Sequence, residues 1–209
     1  MSSYQKFGAM WWADVLQRLG VKTTTSVIWA PVLAVEWAPG KFSLGAAELP
    51  DVVAQCLVET EMLDDLEEDL GYSAKRMTVV WPRRFPTIES AAPYANNPEA
   101  LANKTYGGRM GNTAPGDGWK YRGRGCPMIT GKDNYAVVER ATGLRVLSDP
   151  DLLTTPLGAS RALVAWWEKR IPDAIIGDPE KVSKAVNGGE EALAKRVALT
   201  RSARTVMEL

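Results

Sequence analysis

Glu59 and Glu68 stand nine residues apart, upstream of residues 118–125, where Trp119 and Tyr121 alternate with Lys120, Arg122 and Arg124 among three glycines. Two carboxyl groups can divide one reaction between them. One keeps its proton and gives it to a leaving oxygen, while the other stays ionised and takes a proton from water or attacks directly. The first needs a partly dry setting and the second a wet one. Beside a wall of flat aromatic faces and closely approachable backbone, that chemistry is cleavage of a bond between sugars. Composition narrows the field in the same direction. The chain has no histidine, which removes Ser-His-Asp and Cys-His triads and His-ligated zinc together. With Cys56 and Cys126 as its two cysteines, it has neither a four-cysteine zinc site nor a disulfide framework, and packed, reduced thiols are the expectation. No metal or organic cofactor is expected.

These side chains need elements to hold them. Met10, Trp11, Val15, Leu16 and Leu19 recur with helical spacing and stop at Gly20, which predicts a first helix. Pro50 and Asp51 open a second, with an apolar stripe of Val52, Val53, Cys56 and Leu57. At ~100° per residue, Glu59 projects roughly 80° from the centre of that stripe, where core meets solvent. A helix continuing to Glu68 would carry it about 13 Å further and roughly half a turn away. Pairing the two carboxyls therefore demands a bend at Thr60, Glu61, Met62 and Leu63, which include neither glycine nor proline. Otherwise Glu61, Asp64, Asp65, Glu67, Glu68 and Asp69 read as a solvated acidic surface.

Further along, Ser73 caps a short helix ending near Trp81 and Pro82, and Asn97 with Pro98 starts another that Gly107 and Gly108 terminate. Residues 111–125 are too rich in glycine for a helix interior and read as loop and short strand. Helical patterns return after Gly131, after Thr155 and Pro156, after Asp178 and Pro179, and from Glu190 to about Met207. Thr130 either caps the helix that follows Gly131 or positions a water. Asn187, before Gly188 and Gly189, either ends a helix or presents its amide to a sugar substituent. The sum is a mainly α (α+β) fold, lysozyme-like, with two helical lobes and a small β-rich wall lining a cleft. At 209 residues the chain suits one domain with a real core.

Lys plus Arg (25) balances Asp plus Glu (25), so no global field favours nucleic acid or an anionic membrane. The apolar run over residues 26–38 is about half a membrane span, broken by Pro31 and Glu36, and reads as core, with no stable membrane insertion expected. Its distance from Met1 argues against a cleaved signal peptide, and synthesis in the cytoplasm is expected.

Over roughly residues 52–196, several of these segments, in order, resemble glycoside hydrolase family 19, the plant-type chitinases and related phage endolysins. Residues 54–60 resemble the family's helix ending in its acid, and residues 66–73 its second-carboxylate segment; residues 106–112, 116–125, 130–135 and 187–189 follow. The resemblance implies Glu59 as general acid, Glu68 as general base, Thr130 as a hydroxyl orienting the attacking water, and Asn187 as a substrate-binding amide. It also makes Tyr72, Trp119, Tyr121 and Arg124 candidate substrate contacts. The implied reaction is inverting hydrolysis of a β-1,4 bond next to an N-acetyl sugar. An endolysin of this kind would be a monomeric N-acetylmuramidase acting on peptidoglycan glycan strands at the bacterial wall or periplasm. Chitin is the alternative substrate, and a catalytically silent glycan-binding protein the alternative class. Three positions depart from the family pattern: Val58 replaces a frequent His, Glu61 and Met62 replace a Gly-Gly pair, and Pro127 and Met128 replace an apolar residue and a Gln. Cys56, one turn before Glu59, and Cys126 are expected near one another as unbonded thiols. Residues 1–50 carry no family motif and read as a helical part of the same domain.

Overall fold

The computed structural model describes residues 5–190 and 192–209; residues 1–4 of the helical N-terminal part, and Glu191 before the last helix, lie outside them. Eleven α-helices are present among the described residues. The first two, α1 (Ala9–Arg18) and α2 (Thr23–Glu36), pack on one another. Gly20, at φ +98°, ends α1 as a side chain there could not without strain. The predicted apolar run lies in α2, which buries Trp29, Ala30 and Leu33 but leaves Val27, Ile28 and Val35 exposed. No helix among the described residues is long and apolar enough to cross a membrane.

At the centre lies α3 (Leu49–Glu59), whose residues 49–57 are all buried. Its expected apolar stripe thus widens to the whole circumference, because α11 (Leu193–Met207) and α10 (Pro179–Asn187) pack on the side that carries polar groups. There Gln55 donates to Ser183 and accepts from Arg196 at 2.7 Å. Asp51 accepts from the Gly177 N–H and from Arg204 at 3.1 Å. Buried polar groups without such partners would cost free energy comparable to a lost hydrogen bond.

The remaining helices are α4 (Ala74–Val80), α5 (Ile88–Ala91), α6 (Pro98–Tyr106), α7 (Asp117–Lys120), α8 (Lys132–Thr142) and α9 (Pro156–Arg170). Side-chain caps start several of them as the sequence predicts: Ser73 accepts from the Arg76 N–H, Asn97 from Ala100, Thr155 from Gly158 and Asp178 from Lys181. The glycine-rich segment departs from expectation in containing the one-turn α7. That turn lies so close to α6 that a β-carbon at Gly118 would meet the Ala102 carbonyl oxygen at 2.7 Å. The expected wall has little strand in it. Among the described residues it consists of two isolated antiparallel bridges, Glu67 with Arg124 and Arg124 with Ile129.

Three apolar clusters support this mainly α, lysozyme-like fold. The largest joins α1, α2, α3, α9 and α11. A second gathers Tyr121, Ile129, Tyr135, Val138 and Val146. The third gathers Leu70, Met77, Phe85, Leu101 and Ala102, flanked by Tyr72, Trp81, Tyr106 and Trp119. One expectation is corrected outright. Cys56 and Cys126 are joined as a disulfide, with Cα atoms 5.0 Å apart, where the sequence suggested two separate thiols. Spacing alone carried no information on how residues 70 apart approach one another.

Candidate active site

The bend required after Glu59 is made without glycine. Glu61, Met62 and Leu63 occupy the left-handed region consecutively, at φ 46°, 66° and 68°. Thr60 secures the turn: its hydroxyl donates to the Cys56 carbonyl at 2.7 Å and accepts from the Leu63 N–H at 3.0 Å. The Met62 N–H reaches back to the Leu57 carbonyl, and the Asp65 N–H to that of Thr60. Leu63 is buried, so apolar packing helps to hold a conformation that L-residues disfavour.

Beyond the bend the chain runs extended along residues 123–125. The Glu68 N–H donates to the Gly123 carbonyl at 3.0 Å and the Gly125 N–H to that of Leu66 at 2.8 Å. Adjacent residues of an extended chain point to opposite sides, and Glu67 and Glu68 divide accordingly. Glu67 accepts from Arg122 Nε at 2.8 Å and Arg124 Nε at 3.0 Å. Glu68 accepts from the Tyr106 hydroxyl at Oε2 and the Gly123 N–H at Oε1, both at 2.6 Å. Each Glu68 oxygen is thus met by a donor, which suits a carboxylate acting as an acceptor. Burial, with Glu68 beside it, pushes the Tyr106 phenol far above its ordinary range, so it remains a donor at any working pH. The acidic run is accordingly split: Glu61, Asp64, Asp65 and Asp69 are exposed, while Glu67 and Glu68 turn inward.

Thr130 joins this group across Gly123. A β-carbon at Gly123 would sit 3.2 Å from Thr130 Oγ1 and 3.3 Å from Glu68 Cδ, so hydroxyl and carboxylate flank the same small space. Of the two roles left open for Thr130, capping is not observed. Gly131 precedes α8 without a side-chain cap, and the Thr130 hydroxyl donates to the Met128 carbonyl at 3.0 Å.

Glu59, the last residue of α3, accepts at Oε1 from Arg196 Nη2 at 2.5 Å, its side chain 22% exposed beside a guanidinium that is 4% exposed. It is thus half-buried at a margin, as the helical spacing predicts. The Cys56–Cys126 bridge fastens the last turn of α3 to the stretch that pairs with Glu68. Both carboxyl-bearing segments are therefore anchored on residues 123–126.

Two expected substrate contacts are structural instead. Tyr121 is 3% exposed, packed edge-on against Tyr135 and bonded through its hydroxyl to the Leu147 carbonyl; its ring is enclosed by core and offers no face to a sugar. Arg124 is 2% exposed and spans Glu67, Asp151, the Lys120 carbonyl and Tyr135, so it ties the wall together. Burial, opposed by Arg124, pushes the Tyr135 phenol up to about 12. Trp119 is half-buried with Arg122 stacked 3.6 Å over its ring, and Tyr72 lies against Trp81. Asn187 is the last residue of α10, where Gly188 at φ 70° provides the stop. Tyr106 and Arg196, the direct partners of the two carboxyls, were not assigned those roles from sequence. They lie 38 and 137 residues from them, and no local spacing signals such pairs. Among the described residues, no group of three or more Cys, Asp or Glu converges as a metal site.

No family model matches the chain. A Haemophilus influenzae protein described as a glycosyl hydrolase family 19 domain-containing protein is 36% identical to it over 152 residues, covering 72% of this chain and 75% of that protein.

Proposed function

The chain belongs to glycosyl hydrolase family 19, and from that membership we propose that it is an endolysin-type N-acetylmuramidase. It cuts the β-1,4 bond between N-acetylmuramic acid and N-acetylglucosamine in peptidoglycan, acting at the bacterial wall. Glu59 is the general acid. Arg196 engages its Oε1, and Oε2, with no protein hydrogen bond among the described residues, delivers the proton to the leaving glycosidic oxygen. Glu68 is the general base: it takes a proton from a water whose oxygen attacks the anomeric carbon from the opposite face, so the product anomer is inverted. The Thr130 hydroxyl orients that water, and Asn187 binds the substrate. The observation that carries this reading is the shared space at Gly123, flanked by the Glu68 carboxylate and the Thr130 hydroxyl.

The test is mass spectrometry of borohydride-reduced products from purified sacculi treated with wild type, Glu59→Gln and Glu68→Gln. New wild-type ends on N-acetylmuramic acid are expected, with at least about 100-fold loss in each variant. Glu59→Gln keeps an acceptor for Arg196, so it should fold. Wild-type turnover in that variant overturns the assignment of the acid. Products from chitooligosaccharides and none from sacculi would move the enzyme to chitin, and binding without new ends would make it a glycan-binding protein.

A further inference from the structure

Next to Tyr106, the phenol that holds Glu68, lies an open cleft of about 440 Å³. Its walls are Val80, Trp81 and Pro82 at the end of α4, and Thr105 and Tyr106 at the end of α6; Arg83, Arg84 and Arg109 complete it. The local chain explains why three guanidinium groups meet here. The turn after α4 is closed by the Arg84 and Phe85 N–H groups on the Trp81 carbonyl, and Trp81 is fixed between Tyr72 and Phe85. Arg83 and Arg84 thereby line the same cleft as Arg109, which follows α6.

These arginines differ from the others around the site. Arg122, Arg124, Arg161, Arg196 and Arg204 all pair with carboxylates. Among the described residues, no carboxylate lies within ion-pair reach of Arg83, Arg84 or Arg109. The chain as a whole carries no net charge, so the positive cleft is a local feature rather than part of a basic surface. A planar anion bearing several acceptor oxygens matches these arginines, since guanidinium forks pair with carboxylates bidentately.

We infer that this cleft is a subsite for carboxylate-bearing substituents of the glycan, so that the enzyme selects an acidic N-acetyl glycan over a neutral one. The inference rests on the glycan-hydrolase reading above and specifies its substrate. In peptidoglycan the carboxylates belong to the peptide stems carried on the muramic acid lactyl ether; chitin has none. Trp81 supplies an apolar face for the stem's alkyl groups, and the arginines take its charge.

The experiment compares binding of a soluble tetrasaccharide-peptide fragment, two GlcNAc-MurNAc repeats with their stems and so one MurNAc-GlcNAc bond, with that of the same fragment after its carboxylates are amidated, by calorimetry on the full chain. Reducing ends are counted in parallel. Amidation is expected to weaken wild-type binding at least about fivefold, and to change binding by Arg83→Gln/Arg109→Gln less than about twofold. Raised salt should weaken the wild type more than the variant. Equal wild-type affinity for the two fragments overturns the subsite, as does a variant that still discriminates fully between them. The wild-type comparison decides the matter even if the double variant fails to fold. Carboxylate-dependent binding without reducing ends would overturn the hydrolase reading and leave the subsite standing. Cleavage of both fragments with equal affinity would do the reverse.

Discussion

At the scale of single residues, the site depends on an omitted atom. Gly123 does not lie in the left-handed region, so alanine fits its backbone. The added methyl would nonetheless enter the space between Thr130 Oγ1 and the Glu68 carboxyl, at 3.2 and 3.3 Å. Gly123→Ala should therefore lower kcat by about 10- to 100-fold, through displacement of the attacking water, while the melting temperature shifts by only about 2–4 °C. Kinetics on sacculi beside a thermal melt checks this, and unchanged kcat would mean that the water sits elsewhere. Of the two carboxyls, only the core-margin position of Glu59 was legible in sequence, through helical spacing. Their partners were not, since Tyr106 and Arg196 meet them only through tertiary packing. Tyr121 and Arg124 misled for a related reason: aromatic and cationic types among glycines suit a ligand wall and a sealed corner equally, and burial separates the two.

Among elements, the tightest constraint is the turn that ends α3. Three successive L-residues in the left-handed region are costly, and glycine adopts that region without strain. Glu61 is exposed and its side chain takes no part in the turn's hydrogen bonds. Glu61→Gly should stabilise the protein by about 0.5–1 kcal/mol in urea unfolding and retain hydrolysis. A loss of activity as deep as that of Glu68→Gln would show that Glu61 is the base. The sequence required a bend here but contained no breaker to locate it, because buried Leu63 and the Thr60 hydroxyl do the work usually left to glycine. Helix starts were easier to read: Ser73, Asn97, Thr155 and Asp178 each carry a side-chain acceptor just before the first turn. The one-turn α7 escaped notice since its glycine serves close packing on α6, which only the folded partner reveals.

The molecule as a whole is closed by α10 and α11 against α3, and that closure carries a pH signature. Burial raises the Asp51 carboxyl above the ordinary aspartate range, with the Arg204 guanidinium opposing. A folded-state value above the unfolded one means that folding favours the protonated form. Its contribution to stability is therefore full below the unfolded value and is lost as pH rises through the folded one. The stability of wild type relative to Asp51→Asn should fall as pH rises from about 3 to 7, measured by thermal unfolding. A difference that grows with pH would show that the Arg204 pair outweighs burial. The Cys56–Cys126 bond has a topological consequence of another kind. It makes residues 56–126 a covalent ring that includes the bend, Glu68 and the arginine cleft. A protease that cuts once within this ring opens it without releasing a fragment. The nicked protein should migrate as one band on a non-reducing denaturing gel and as two after reduction, so limited digestion can report whether the ring is closed in any given preparation.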